Sequence, residues 1–242
     1  MGVVSTAAAP AETDSASGEP TTFTLFSVLR RDPADPRDYD PHDVPTTVRE
    51  LEDLVDAIAE QQVVVRGFYD VSGLRADADL MIWMHAPAAE SLQWGLRELR
   101  RARLIAPLLP TWSAMGVHRP AEFNTAHVPG FLRGEPARGW LTVYPFDRSY
   151  DWYLLPEDER KRMLAEHGRK GAAFTGVVAN TVAAFALGDY EWLLPMEADA
   201  LVDLVDMMRD LRYTEARMHV REEVPFYTGR WIAPAEVPEV LQ

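Results

Sequence analysis

The chain has 242 residues, with 24 Lys or Arg against 38 Asp or Glu, and therefore a formal net charge of −14. This acidic balance argues against a nucleic-acid or anionic-membrane partner, because phosphate binding requires a basic face. The composition, 47% hydrophobic with no cysteine, is that of a globular protein. It excludes disulfides, thiolate nucleophiles and cysteine-ligated metal centres.

The start of the chain is compositionally distinct. Residues 1–20 are rich in Ala, Ser, Thr and Pro and contain no aromatic residue, which predicts a disordered tail. They lack the basic and apolar regions of a secretory signal. The most apolar stretch, residues 172–187, is too short and too interrupted to span a bilayer. We therefore expect a soluble, cytoplasmic protein.

The first half of the chain has the pattern of a β-α-β-β-α-β unit. Apolar runs rich in β-branched and aromatic residues predict strands over residues 21–29, 63–70 and 79–85. Apolar side chains at helical spacing predict helices over residues 47–61 and 89–104. The run around residues 109–117 is a candidate for the closing strand.

The second half repeats this order. Strands are predicted over residues 140–146, 190–195, 217–221 and 225–231, and helices over residues 156–168 and 198–211. Residues 173–187 fit either a continued helix or a strand. The repeat predicts an α+β fold of two fused ferredoxin-like modules, residues 21–119 and 120–242, forming a dimeric α/β-barrel-type domain.

His167 is the most informative of the six histidines. The chain contains no phosphate loop, dinucleotide fingerprint, zinc-protease helix or nucleophile elbow. His167 falls on the same helical side as Met163 and Leu164, among apolar residues. One histidine cannot complete a zinc site, but it can be the single axial ligand of a haem. A core histidine bonded to a backbone carbonyl explains the same pattern equally well.

A second candidate lies on the strand predicted over residues 140–146 and just beyond it. Strand alternation places Tyr144, Phe146 and Arg148 on one face, with Trp152 and Tyr153 close behind. A redox-capable phenol near a fixed cation is suited to one-electron chemistry beside an anionic ligand. The alternative is ordinary, since aromatic residues are favoured in strands and an arginine at a strand end is normally solvated.

Three strings in the second half resemble a known family: YPFDRSYDWYLLPEDERKRMLAEHG, EWLLPMEADALVDLVDMMRDLRYTEARMHV and PFYTGRW. They are similar to the coproheme decarboxylases of the chlorite dismutase superfamily, and most similar to the actinobacterial branch. The resemblance covers roughly residues 21–231, and its Tyr-Pro-x-x-Arg and Glu-His-Gly strings are specific. It implies two fused ferredoxin-like modules and a homopentameric assembly.

The resemblance also implies catalytic roles. His167 would be the proximal ligand of the coproheme iron, and Tyr144 the catalytic tyrosine that becomes a radical. His127 would be the distal base that accepts a proton from peroxide, with His118 as an outside candidate for the same role.

The resemblance also implies contacts to the substrate. Arg148 would lie beside the propionates, with Trp152 at the same edge. Arg133 is a candidate for a further contact only because it lies in the same part of the chain. Asn180 stands thirteen residues after the proximal histidine, where chlorite dismutases proper carry a distal arginine. Oxygen production from chlorite is therefore disfavoured. Other decarboxylase branches tend to carry a glutamine at this position, and Asn180 is expected to keep a weaker version of its polar contact.

The implied activity is peroxide-dependent oxidative decarboxylation of two propionates of iron-coproporphyrin III, which gives haem b through a tyrosyl radical. The porphyrin is then both substrate and redox centre, hydrogen peroxide is the oxidant, and a ferrochelatase is a possible transient partner. The rival from another class is a non-enzymatic haem or porphyrin carrier or sensor on the same fold. A third reading is a scaffold that binds no cofactor.

Overall fold

The computed structural model describes residues 21–34, 40, 42–119 and 128–242. Contacts within the chain divide these residues into two compact units. The first holds the described residues up to Val117 together with Ile232–Gln242, and the second holds those within His118–Trp231. Each unit contains helices and antiparallel strands, which confirms the predicted α+β class. The predicted tail, residues 1–20, lies outside the described residues.

The first unit has the predicted β-α-β-β-α-β order. Its elements are β1 (Phe23–Arg30), α1 (Val44–Ala59), β2 (Val64–Asp70), β3 (Leu80–Ala86), α2 (Ala89–Leu99) and β4 (Leu109–Val117). The four strands pair antiparallel in the order β4-β1-β3-β2. Leu51 and Ile58 of α1 are seven residues apart, two helical turns, so both project into the apolar core of this unit.

The second unit is arranged around one central strand. Its elements are β5 (Trp140–Arg148), α3 (Glu157–Gly171), β6 (Val177–Ala179), β7 (Val182–Ala183), β8 (Trp192–Ala198), α4 (Leu201–Leu211), β9 (Val220–Glu222) and β10 (Tyr227–Ile232). Val143 of β5 is paired with both Pro195 of β8 and Tyr227 of β10. Strand β9 continues the pairing at the end of β5, and β8 also pairs with β6 and β7.

Helix α3 follows β5 and is one of the most polar elements of the chain. Its first turn carries Glu157, Asp158 and Glu159, and its last turn carries Arg169 and Lys170. Acidic residues at the N-terminus and basic residues at the C-terminus both interact favourably with the helix dipole. This charge distribution stabilises a helix that buries little apolar surface.

Three predictions within the second half and one in the first are corrected. Residues 173–187 are neither a continued helix nor one strand, because they contain the two short strands β6 and β7. The strand predicted over residues 217–221 begins at Val220, since Glu215–His219 forms a 3-10 helix. The strand predicted over residues 190–195 begins and ends later, at Trp192–Ala198. The helix predicted over residues 89–104 ends at Leu99.

The C-terminal residues contribute to the first unit. Helix α5 (Val237–Val240) follows β10, and Ile232, Val237 and Leu241 are buried in the core that α1 covers. The sequence grouped these residues with the second module, because chain order alone does not show where a terminal segment packs. Across the described residues, no helix has the length and apolar character needed to cross a membrane.

Candidate functional site

The second unit contains a cavity with about 510 Å³ of empty space, counting its open mouth. It lies beside β5, with α3 and α4 and the segment that follows α4 forming its other walls. Its apolar lining is Phe146, Leu164, Leu194, Met208, Leu211, Ala216 and Val220. Its polar lining is Tyr144, Arg148, His167, Arg212, Thr214, Arg217 and Glu223. The lining therefore suits a ligand with an apolar body and anionic groups.

His167 enters this cavity from α3. Its Nδ1 lies 3.5 Å from Thr214 Oγ1, and its side chain is half-buried. Burial lowers the pKa of His167, and the nearby positive charge of Arg148 lowers it further. The imidazole is therefore neutral near pH 7, and a neutral ring nitrogen is the form that binds a metal.

Tyr144 is the buried phenol of the site. It is 4% exposed, and its ring stacks on Phe226 with 4.2 Å between ring centres. Its hydroxyl donates to the sulfur of Met208 at 3.5 Å, which is a weak acceptor. Burial raises the pKa of Tyr144 well above its usual range, and the charge of Glu223 raises it further. The phenol therefore keeps its proton at neutral pH.

Arg148 ends β5 on the same face as Tyr144 and is held by aromatic rings. Its guanidinium carbon lies 4.1 Å from the ring centre of Trp152 and 4.9 Å from that of Phe146. Burial lowers the pKa of Arg148 to about 10, so the side chain stays protonated at neutral pH. Trp152 is 1% exposed and lies behind this cation.

A charged cluster that the sequence analysis did not single out completes the polar wall. Glu223 lies with its Oε2 2.6 Å from Arg212 Nη1 and 2.9 Å from Arg217 Nη2. Two guanidiniums thus share one carboxylate, which leaves an excess positive charge in the wall. Arg212 directly follows α4, Arg217 lies in the 3-10 helix Glu215–His219, and Glu223 directly follows β9. Their mixed charges resemble those of a solvent-exposed segment, so the periodicity of the sequence did not indicate a site.

The structure thus brings together Tyr144, Arg148 and His167 around one cavity, with Trp152 supporting Arg148. His127 lies outside the described residues. His118 follows β4 and does not line the cavity as the described residues form it.

Asn180 and Arg133 have partners within the protein. Asn180 is fully buried, its Nδ2 donating to Glu197 Oε2 at 3.1 Å and its Oδ1 accepting from the Phe131 N–H at 3.1 Å. Arg133 forms an ion pair with Glu135 and is 44% exposed. Within the described part of the chain, neither residue lines the cavity.

The donor set suits a metal that arrives in its own macrocycle. Among the described residues, no group of three or more His, Asp or Glu side chains is placed to hold a bare metal ion. A porphyrin supplies four nitrogen ligands itself and needs only one from the protein. His167, in a cavity lined mainly by apolar side chains and three arginines, fits that requirement.

Comparisons with known proteins give consistent matches. A sequence model of the family described as chlorite dismutase matches residues 45–232. A coproheme decarboxylase from Mycolicibacterium smegmatis is 57% identical over 171 residues, which are 70% of this chain and 74% of that protein.

Solved structures match at the level of the fold. A double mutant of the chlorite dismutase of Candidatus Nitrospira defluvii superposes with a TM-score of 0.79 and 22% identity, covering 91% of this chain and 95% of that one. The same enzyme in complex with imidazole gives a TM-score of 0.79 and 21% identity over the same shares. At these identities the likeness shows the fold alone.

Proposed function

The chain belongs to the chlorite dismutase family, and on that premise we propose that it is a peroxide-dependent coproheme decarboxylase. It converts iron-coproporphyrin III into haem b by oxidative decarboxylation of two propionates. The observation that carries the proposal is the convergence of His167, Tyr144 and three arginines on one largely apolar cavity. The coproheme decarboxylase of Mycolicibacterium smegmatis, at 57% identity, supports the same activity.

His167 holds the iron of the substrate in this proposal. Its ring is neutral, and Thr214 contacts one nitrogen, which leaves the other for the ligand. The flat apolar macrocycle is matched by the leucines, Phe146 and Met208 of the lining. Bound coproheme supplies the redox chemistry that hydrogen peroxide drives.

The arginines bind the carboxylates of the substrate. Arg148 on one wall and the Arg212–Glu223–Arg217 cluster on another present cations to the cavity. Coproheme carries four propionates, so a cavity in an acidic protein needs local positive charge to hold it. Arg133, Trp152 and Asn180 remain candidates for further contacts, with Trp152 placed behind Arg148.

Tyr144 supplies the hydrogen-abstracting group. It gives up an electron and its proton to become a neutral radical, and then removes a hydrogen from the β-carbon of a propionate. Loss of a second electron releases carbon dioxide and leaves a vinyl group. Each propionate therefore gives up two electrons, which reduce one hydrogen peroxide to water. The burial of Tyr144 protects such a radical from solvent.

His127 is the distal base of the proposal, with His118 as the alternative. A neutral histidine there takes a proton from peroxide and promotes cleavage of the oxygen–oxygen bond. We further propose the assembly that the resemblance implies: two ferredoxin-like modules forming a barrel-type domain, a cytoplasmic homopentamer, and transient contact with a ferrochelatase.

The test is to bind ferric coproporphyrin III to the purified protein, add hydrogen peroxide stepwise and follow the porphyrin mass. Two successive losses of carbon dioxide with two hydrogens are expected from the wild type and not from Tyr144→Phe. Tyr213→Phe is the matched control, because Tyr213 is 80% exposed and does not line the cavity.

The rival function gives a different outcome in the same experiment. A carrier or sensor binds the porphyrin equally well with Tyr144 or Phe and leaves its mass unchanged when peroxide is added. No binding of the porphyrin by the wild type would overturn both readings and leave a scaffold without a cofactor.

A further inference from the structure

We infer that Thr214 is a positioning residue that fixes the tautomer of His167. The Thr214 hydroxyl oxygen accepts a hydrogen bond from His167 Nδ1–H, so that Nε2 carries the lone pair presented to the cavity. The inference rests on the proposed function in one point, which is that His167 Nε2 binds the iron of coproheme.

The direction of the hydrogen bond follows from the partner of Thr214. Its hydroxyl donates to the backbone carbonyl oxygen of Leu211 at 2.9 Å, in a buried position. A carbonyl oxygen can only accept, and a hydroxyl has a single hydrogen. The Thr214 oxygen is therefore left as an acceptor toward His167 Nδ1, 3.5 Å away. In the neutral form of the ring, which is the form that binds a metal, a proton on Nδ1 leaves Nε2 unprotonated.

Carboxylates near His167 have other partners in the described part of the chain. Glu166 Oε2 accepts from the backbone N–H of Glu215 at 3.4 Å. Glu215 in turn binds Arg162 through both oxygens, at 2.7 and 2.9 Å. Neither side chain shares a hydrogen bond with the His167 ring. Within the described residues, the neutral hydroxyl of Thr214 is thus the group that meets Nδ1.

Thr214 is itself held in place by burial and by hydrogen bonds, so it can fix the orientation of the His167 ring. It is 5% exposed, and its carbonyl accepts from the Arg217 N–H at 3.1 Å at the start of the 3-10 helix Glu215–His219. Its hydroxyl bond to Leu211 anchors it to the last turn of α4. A buried hydroxyl with both its donor and its acceptor function used has one orientation.

Helix α3 is bonded to this same segment on both sides of His167. Arg162 binds Glu215, Glu166 binds the Glu215 N–H, and Lys170 lies 3.3 Å from the Tyr213 carbonyl oxygen. Positions 162, 166 and 170 are four residues apart, so they lie along one side of the helix. These contacts fix the rotation of α3 about its axis and its position along that axis relative to Thr214. They therefore also fix the distance between the Thr214 hydroxyl and the His167 ring.

The chemical consequence is a neutral proximal ligand. Ligating histidines usually donate their second N–H to an oriented acceptor, which fixes the ring and tunes its basicity. A carboxylate acceptor withdraws the proton strongly, whereas a hydroxyl withdraws it weakly. Thr214 thus fixes the geometry of His167 without giving the ring the character of an imidazolate.

The first test uses the full chain without porphyrin. The protein is labelled with ¹⁵N-histidine, and two-bond proton–nitrogen NMR spectra show which ring nitrogen of each histidine carries the proton. The signals of His167 are identified as those that are absent from the spectrum of His167→Gln. The Nδ1–H tautomer is expected in the wild type and in Thr214→Ser, and its predominance is expected to be lost in Thr214→Val. Thr228→Val, which removes a hydroxyl of β10 bonded to Thr142, is the control and is expected to keep the wild-type tautomer.

A proton on Nε2 in the wild type, or an unchanged tautomer in a folded Thr214→Val protein, would overturn the inference. Thr214→Ala is the second variant, since it removes the same oxygen without placing a second methyl group in the site. It is expected to lose the tautomer preference as Thr214→Val does.

The second test uses the ferrous coproheme complex without peroxide, so that no decarboxylation occurs. The iron–histidine stretching band in resonance Raman spectra is expected to shift in Thr214→Val and to stay in place in Thr214→Ser. Coproheme affinity is expected to fall about tenfold or more in Thr214→Val. A wild-type complex without a His167-dependent band would overturn the ligand assignment of the proposed function, while the porphyrin-free spectra would still decide the role of Thr214.

Discussion

The guanidinium carbon of Arg148 lies 4.1 Å from the ring centre of Trp152, so a cation that faces the cavity is supported from behind by a buried indole. Such a contact between a cation and an aromatic face strengthens as both groups lose water. It also confines the arginine side chain. Trp152 is therefore expected to affect substrate binding through Arg148.

Trp152→Leu is expected to weaken coproheme binding by about tenfold, because a desolvated cation–π contact contributes about 1–2 kcal/mol. Trp152→Phe keeps an aromatic face and is expected to lose less. Fluorescence quenching titrations with coproheme measure both dissociation constants. Equal affinities for the Leu and Phe variants, with both proteins folded, would contradict a role for the ring face.

Glu223→Gln removes the carboxylate that Arg212 and Arg217 share. The cavity becomes more positive, and coproheme binding is expected to tighten by about fivefold at low ionic strength, which corresponds to about 1 kcal/mol. The gain in coproheme affinity is expected to decrease as salt is added, because salt screens the interaction between charges.

Glu222→Gln is the matched control for this change, since Glu222 is the exposed neighbouring residue and does not line the cavity. It makes the same change in net charge. A salt-dependent gain of the same size in Glu222→Gln would show that the effect belongs to the whole protein and not to the cluster.

His85 makes stability depend on pH. Burial lowers the pKa of His85 to about 4, with the charge of Arg66 adding to the effect. Below pH 6.5 the unfolded chain takes up a proton at this residue and the folded chain does not, so stability is lost as the pH falls toward 4. The loss from this group is about 2 kcal/mol between pH 7 and pH 5.

Urea unfolding of the wild type and of His85→Gln at pH 7 and pH 5 measures this contribution. The free energy of unfolding is expected to fall less in the variant, because glutamine does not titrate. The same fall in both proteins would mean that other groups account for the pH dependence.

Asn180→Ala tests whether Asn180 stabilises the fold or contacts the substrate. Glu197 is fully buried and receives Asn180 Nδ2 at 3.1 Å and the Arg138 N–H at 3.3 Å. Removal of the amide takes one hydrogen bond from the buried Glu197 side chain and one from the Phe131 N–H, which costs about 2–4 kcal/mol. A lower free energy of unfolding is therefore expected. An unchanged free energy together with weaker coproheme binding would instead favour direct contact with the substrate.

Much of the fold could be predicted from periodicity. The order of elements in the first unit and the helices that became α1, α3 and α4 follow from apolar spacing, which depends only on neighbouring residues. The pairing of Ile232 and Val237 with the first core could not be predicted, because it depends on a contact distant in sequence. The short strands β6 and β7 have too few residues for a period to be detected.

The candidate site was predicted in part. Strand alternation placed Tyr144 and Arg148 on one face, and the family resemblance, which the comparisons confirm, pointed to His167. Arg212 and Glu223 were missed because ion pairs between distant positions leave no local pattern. Asn180 was assigned by its spacing from His167, which does not show that its amide is bonded to Glu197.

Tyr144 and Arg148 lie on one central strand, so the geometry of β5 fixes the distance between their backbones. A strand advances about 3.3 Å per residue, so the backbones of Tyr144 and Arg148 are about 13 Å apart along the strand. A single inserted residue would turn one of them to the opposite face. Within a regular strand this spacing changes in steps of two residues, whereas the segment that carries Arg212, Arg217 and Glu223 is not bound by that alternation.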